Sequence, residues 1–277
     1  MKKILLALNA LNPDKPAIEF ASYLARLTQS KISAIFIENI IESKAVPEEF
    51  SSSESTSNVF AENTTLAVKY IEFFKQGWVN REGACDVYLD RAVPATDLIK
   101  LSRFADALVI DDKTSFGKIF NGESFTFARD LLRKSECPVI IVPDGFNSMD
   151  EIVFAYNGSS SSVFSIKQFI YLFPQLYSKK VTVVLVDKTG EWKDYEKDHL
   201  TELLKGYYID ICFETIKGCP DLELFNRLFK RKNIFLVMGA YGRSSLSSFF
   251  KKSSAELIVK TVIQPIFIAH SYHKADS

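Results

Sequence analysis

Short, almost uninterrupted apolar runs alternate with longer segments of helical spacing, and the alternation occurs twice along the chain. Lys3 to Leu8 is a strand-like run closed by polar Asn9, and Ile18 to Leu27 then places Ile18, Ala21, Tyr23, Leu24 and Leu27 at near-helical spacing. Ile32 to Ile37 alternates only weakly, which suits a parallel strand covered by helices on both faces. The order strand, helix, strand predicts a βαβ unit.

The same syntax restarts at Glu151. Ile152 to Tyr156 reads as a strand, Asn157-Gly158-Ser159 as a turn, Phe164 to Leu176 as a helix that Pro174 ends early, and Val181 to Val186 as another strand. Further on, Ala107 to Ile110 and Phe235 to Met238 read as matching strands, and Val139 to Val142 and Ile266 to Ala269 close each copy, with Pro138 and Pro265 at the strand starts.

The spacing of matched residues supports a repeat. Pro94 pairs with Pro220 and Pro138 with Pro265 at separations of 126 and 127 residues, while Asn9 pairs with Asn157 at 148. The first copy therefore carries about 22 extra residues, which Ser43 to Thr65 can supply. Within them, Ser51 to Ser57 is a polar, low-complexity stretch that reads as a surface loop. Pro143 to Ser148 holds turn formers and reads as the linker, giving domains over 1–146 and 150–277.

Composition narrows the functions open to such a chain. With 277 residues, 47% of them hydrophobic and 25% charged, it is long enough for two domains with buried cores. Lys+Arg and Asp+Glu both number 34, so no net field attracts nucleic acid or an anionic membrane. The apolar run ending at Asn9 is too short for a signal segment or a membrane span, and a cytoplasmic protein with reduced thiols is expected. Cys85, Cys137, Cys212 and Cys219 show no paired ligand spacing, so zinc is not expected.

Ligands of open parallel sheets bind beyond the carboxyl ends of the strands, where the strand order reverses. Two loops of the second copy answer to that position. Asn157-Gly158-Ser159-Ser160-Ser161-Ser162 offers an amide, flexible backbone and hydroxyls before a helix, a pattern equally suited to a plain turn and helix cap. Gly239-Ala240-Tyr241-Gly242-Arg243 runs on to Lys251-Lys252-Ser253-Ser254 ahead of a helix over Ala255 to Thr261. There, glycines allow close approach of backbone to a phosphate, the serines present hydroxyls and N–H groups, and Arg243, Lys251 and Lys252 add positive charge.

This stretch resembles the nucleotide-binding universal stress proteins, whose pattern G-x2-G-x9-G-[ST] is met by Gly239, Gly242 and Ser253, with Lys252 at the third glycine position. Gly218-Cys219-Pro220 resembles the G-x-P turn of that family, and Cys137 to Pro143 its closing strand. The resemblance implies an α/β fold of two tandem open-sheet, mostly parallel, doubly wound domains, Rossmann-like and of the adenine nucleotide alpha hydrolase type. It also implies a stress-response protein without catalysis. ATP or a related nucleotide, with or without Mg, would be held in the second domain by Asn157, Gly158, Gly239, Gly242, Arg243, Lys252, Ser253 and Ser254.

Two departures from the family keep a second reading open. Asparagine stands at Asn9 and Asn157 where ATP-binding members have aspartate, and the Lys252 side chain stands where phosphate oxygens need room or, alternatively, offers them its ammonium. The alternative is a structural or protein-contact stress protein that binds no nucleotide; a slow ATPase is a third option without visible metal ligands. Intramolecular pairing of the domains is implied by the resemblance, and homodimerisation and the identity of a protein partner stay open.

The first-copy loop that starts Asp111-Asp112 lacks the paired glycines and sets two carboxylates where an anion would approach. Those two carboxylates read as a solvated turn rather than a magnesium site. His199, His270 and His273 form no triad, and no G-x-S-x-G elbow occurs. Phe73-Phe74 and the series Phe164, Phe169, Phe173 read as cover for the sheet faces, and Phe249-Phe250 as bulk inside the candidate loop.

Overall fold

The computed structural model describes residues 2–37, 65–76, 85–87, 95–112, 131–144, 146, 148–218, 223, 226, 231–239 and 263–269. The first apolar run becomes β1 (Lys3–Asn9), every residue of it from Ile4 to Leu8 buried. Ile4, Leu6 and Leu8 join one core while Leu5 and Ala7 join a second on the opposite face. This is why the run shows no alternation: side chains point to both faces and both faces are covered.

Helix α1 (Lys15–Thr28) starts before the expected Ile18, because Asp14 caps it by accepting the Ala17 N–H at 2.9 Å and a proline sits in its first turn. It buries Ala17, Phe20, Ala21, Leu24 and Ala25 against β1 and its neighbours and ends at Gln29, which adopts a left-handed conformation (φ 51°). The first half continues through β2 (Lys31–Ile37), α2 (65–76), β3 (Cys85–Val87), α3 (Ala95–Ser102), β4 (Ala107–Asp111) and β5 (Val139–Val142). Helix α2 opens at Thr65, the last residue assigned to the insertion; Ser51 to Ser57 lie outside the described residues. It buries Ala67, Ile71 and Phe74 but leaves Phe73 74% exposed, so only the second of the two adjacent phenylalanines covers the sheet.

The second half runs β6 (Glu151–Tyr156), α4 (Ser160–Leu172), β7 (Lys180–Asp187), α5 (Asp194–Lys205), β8 (Ile211–Lys217), β9 (Ile234–Gly239) and β10 (Ile266–Ala269). Pro174 does end α4 early, opening a short 3-10 turn over Pro174–Leu176.

All ten strands form one sheet in the order β3-β2-β1-β4-β5-β10-β9-β6-β7-β8. Each half has the same strand order about its own first strand, β1 or β6. Every neighbouring pair is parallel except β5 with β10, where Ile141 faces Ile266 and Val139 faces Ile268. The order reverses beside β1 and beside β6, and each reversal leaves a crevice at the carboxyl end of that strand.

Aromatic rings tie the halves together. Phe20 of α1 meets Phe235 of β9 edge-on at 5.7 Å, and Phe146 of the linker meets Phe20 at 4.8 Å. Phe235 also meets Phe169 of α4 at 5.0 Å. Edge-to-face packing of this kind adds specificity to simple area burial, and it makes the linker region part of the core.

Candidate functional site

Strand β6 delivers Tyr156 and then Asn157 to the second crevice. The Asn157 Oδ1 accepts the Ser159 N–H at 3.1 Å and the Ser159 hydroxyl at 2.6 Å, folding the chain into a tight turn. Gly158 inside it has φ +75°, the left-handed region that glycine enters without strain. Ser159 then caps α4 by accepting the Ser162 N–H at 3.2 Å, and Ser162 returns its hydroxyl to the Ser159 carbonyl at 2.7 Å. The plain turn-and-cap reading of this segment therefore accounts for the Asn157 side-chain oxygen and for Gly158.

Gly239 ends β9 beside the first turn of α4. A Cβ placed on it would stand 2.6 Å from the Ser161 carbonyl carbon and Oγ and 2.7 Å from the Ser161 carbonyl oxygen. Next to it, buried Ser165 donates its hydroxyl to the Met238 carbonyl at 2.8 Å. Helix α4 is thus clamped onto the end of β9, and the structure brings Asn157, Gly158 and Gly239 together around the α4 N-terminus. Gly242, Arg243, Lys252, Ser253 and Ser254, with Phe249 and Phe250, lie outside the described residues.

A feature not anticipated from the sequence comes from the segment after β7. Asp187 organises a turn, accepting the Lys188 N–H at 2.6 Å and the Thr189 hydroxyl at 2.6 Å; these bonds hold its carboxyl below the usual carboxylate range. Gly190 follows at φ +71°. The chain then lays the half-buried Trp192 indole flat on Tyr156, with ring centres 5.5 Å apart and planes within 9°, and its edge meets Phe213 of β8 at 5.4 Å.

Glu196, in the first turn of α5, crosses above the turn: its Oε1 would be 3.6 Å from a Cβ on Gly158. Its Oε1 accepts the Tyr195 hydroxyl at 3.4 Å and lies 3.6 Å from Lys193 Nζ. Burial, reinforced by the Glu196 charge, pushes the Tyr156 phenol up to about 12. An indole and a carboxylate thus line the crevice next to the residues the sequence singled out. Trp192 is one of only two tryptophans, and a tryptophan two residues after a glycine that follows a strand was the available signal.

The first-half crevice is built alike but charged differently. Asn9 Oδ1 accepts the Leu11 N–H at 2.9 Å and the Asn12 N–H at 3.3 Å, the counterpart of the Asn157 turn. Across from it, Asp111 and Asp112 are 1% and 5% exposed. This corrects the solvated turn expected from the sequence: Asp111 is the last residue of β4, and parallel pairing with β5 draws the pair into the sheet end. Two buried carboxylates at the reversal point oppose an anionic ligand.

Elsewhere, His199 is exposed on α5, 3.9 Å from Glu202. Among the described residues no three His, Cys, Asp or Glu side chains group as metal ligands, and no helix is long and apolar enough to cross a membrane.

No family model matches the sequence, and no curated protein matches it. Solved structures do match. A universal stress protein from Archaeoglobus fulgidus DSM 4304 is similar over 97% of this chain and 96% of its own, at 16% identity and a TM-score of 0.67. A functionally unknown protein from Pseudomonas aeruginosa PAO1 is similar over 98% of this chain and 92% of its own, at 13% identity and a TM-score of 0.52. Likeness at these identities establishes the fold, an open, mostly parallel α/β sheet of the universal stress type.

Proposed function

We propose that this chain, which has the fold of a universal stress protein, is a non-catalytic stress-response protein that holds ATP or a related nucleotide in the crevice of its second half. The observation that carries the proposal is the contrast between the two crevices. Both are framed by an asparagine turn and a capped helix, yet the first ends in buried Asp111 and Asp112 while the second ends in Met238 and Gly239 against the α4 N-terminus. Positive helix-end charge, no carboxylate on the facing strand and a Glu196 paired with Lys193 at 3.6 Å favour an anion in the second. Gly242, Arg243, Lys252, Ser253 and Ser254, which follow β9 in the sequence, are the glycine, cations and hydroxyls that this reading assigns to the phosphates.

A second reading, a structural or protein-contact stress protein, is favoured by one observation: the Asn157 oxygen and Gly239 already serve internal contacts. Isothermal titration of ATP, with and without magnesium, into the wild-type protein and into Gly242→Val separates the two. Saturable binding lost in the variant supports the nucleotide reading; absence of heat from either protein supports the protein-contact reading.

A further inference from the structure

The stack of Trp192 on Tyr156 assigns a role to a residue outside the two loops that the sequence singled out. Tyr156 is the last residue of β6, directly before Asn157, and its ring is the aromatic surface that the strand carries to the crevice. It is only 4% exposed, and the Trp192 indole lies parallel on it. A planar, electron-rich ring of about the size of a purine thus already occupies the stacking position at the crevice floor.

The geometry points to Trp192 as an internal occupant of the ring subsite: a ligand's heterocycle reaches Tyr156 only by displacing the indole, so Trp192 sets the affinity and selectivity of the second-half site. This rests on the nucleotide reading above.

The surroundings suit displacement of a side chain on a fixed backbone. The turn carrying Trp192 is held by Asp187 and Thr189, and the Gly190 position, whose added Cβ would lie 3.0 Å from the Lys217 Cβ, is packed against β8. Lys193, the residue after Trp192, pairs with Glu196 at 3.6 Å. Trp192 itself is half-buried, with one edge on Phe213 and one open to solvent. Rotation of its side chain bares the Tyr156 face without unfolding the turn. Anionic groups of the ligand, held at the α4 end, do not compete with the indole. Trp192 therefore discriminates against the ring and leaves phosphate binding untouched.

The test is to titrate ATP and inorganic triphosphate into the wild-type protein and Trp192→Ala, with circular dichroism confirming that the variant is folded. ATP affinity is expected to rise by roughly tenfold in the variant, equivalent to about 1.4 kcal/mol, while triphosphate affinity stays unchanged. Equal ATP affinity in the two proteins overturns the inference and leaves the nucleotide reading standing. Weaker ATP binding by the variant also overturns it, by making Trp192 a platform that the ligand stacks on. Absence of ATP binding to both proteins removes the nucleotide reading and the inference together. Should Trp192→Ala fail to fold, the Trp78→Phe protein, in which Trp192 is the sole tryptophan, gives the same decision by fluorescence. ATP is expected to increase acrylamide quenching of Trp192, and unchanged quenching at saturating ATP overturns the inference.

Discussion

Gly239 and Ser161 approach so closely that a methyl group on the glycine would overlap the serine, its carbon 2.6 Å from the Ser161 carbonyl carbon and Oγ. The contact joins the end of β9 to the first turn of α4, so the glycine that a phosphate-binding pattern would claim is required by packing in any case. Gly239→Ala is expected to lower stability by about 1–3 kcal/mol through overpacking, read as a lower midpoint in urea denaturation. A variant of unchanged midpoint would show that the helix can withdraw from the strand freely.

Asn157 accepts two hydrogen bonds from Ser159 through one oxygen. Asn157→Asp keeps the acceptor and is expected to retain the wild-type melting temperature. Asn157→Ala leaves the turn without its acceptor and should cost about 0.5–1.5 kcal/mol, the net worth of an ordinary intramolecular hydrogen bond. The parallel pair at Asn9, whose oxygen serves the Leu11 and Asn12 N–H groups, should behave the same way.

Tyr156 carries a pH signature. Burial raises its phenol from 10.0 to about 12, so the neutral form is favoured in the folded state. Its contribution to stability is complete below the unfolded value near 10 and is lost as pH rises from there to the folded value near 12. Tyr156→Phe should therefore lose less stability than wild type between pH 9 and pH 11.5, measured by denaturant titration at each pH, roughly the span that brackets the unfolded phenol value.

Burial also pushes the Cys137 thiol up to about 12, while Cys212 is partly exposed. The thiolate is the reactive form. Iodoacetamide applied to the native protein should label Cys212 and spare Cys137 until denaturant is added, as read by peptide mass spectrometry.

Phe20 and Phe235 cross the seam between the halves at 5.7 Å. Phe235→Ala should cost about 3–5 kcal/mol, as large core truncations do. Because the β5–β10 pair makes one sheet of both halves, far-ultraviolet dichroism and tryptophan fluorescence should report the same single transition. Two separated transitions would mean that the halves unfold independently.

Much of this fold could be read from the chain because buried parallel strands announce themselves as apolar runs. Lys3 to Leu8, Ile32 to Ile37 and Val139 to Val142 fall within the observed strands for that reason, and Pro174 stopped α4 where its missing N–H required. Elements with thin apolar faces were harder to see. Helix α5 buries Leu200 and Leu204 amid charged residues, β3 is three residues long, and β8 is an edge strand mixing Glu214 and Lys217 with its apolar positions.

The site was legible where local chemistry governs it and obscure where the sheet governs it. Asn157, Gly158 and Gly239 do converge at the α4 N-terminus, since turn and cap are local. Trp192 and Glu196 reach the same place from beyond β7, and only the pairing of β6 with β7 brings them there. Asp111 and Asp112 look solvated in sequence but are drawn inward by pairing of β4 with β5.

Hydrogen exchange with and without ATP tests the asymmetry of the two crevices most directly. Peptides covering 157–165 are expected to exchange more slowly when ATP is present, while those covering 9–17 keep their rates. Slowing in the first-half peptides, or none in the second-half peptides at ATP concentrations that saturate binding, would contradict a nucleotide site in the second half.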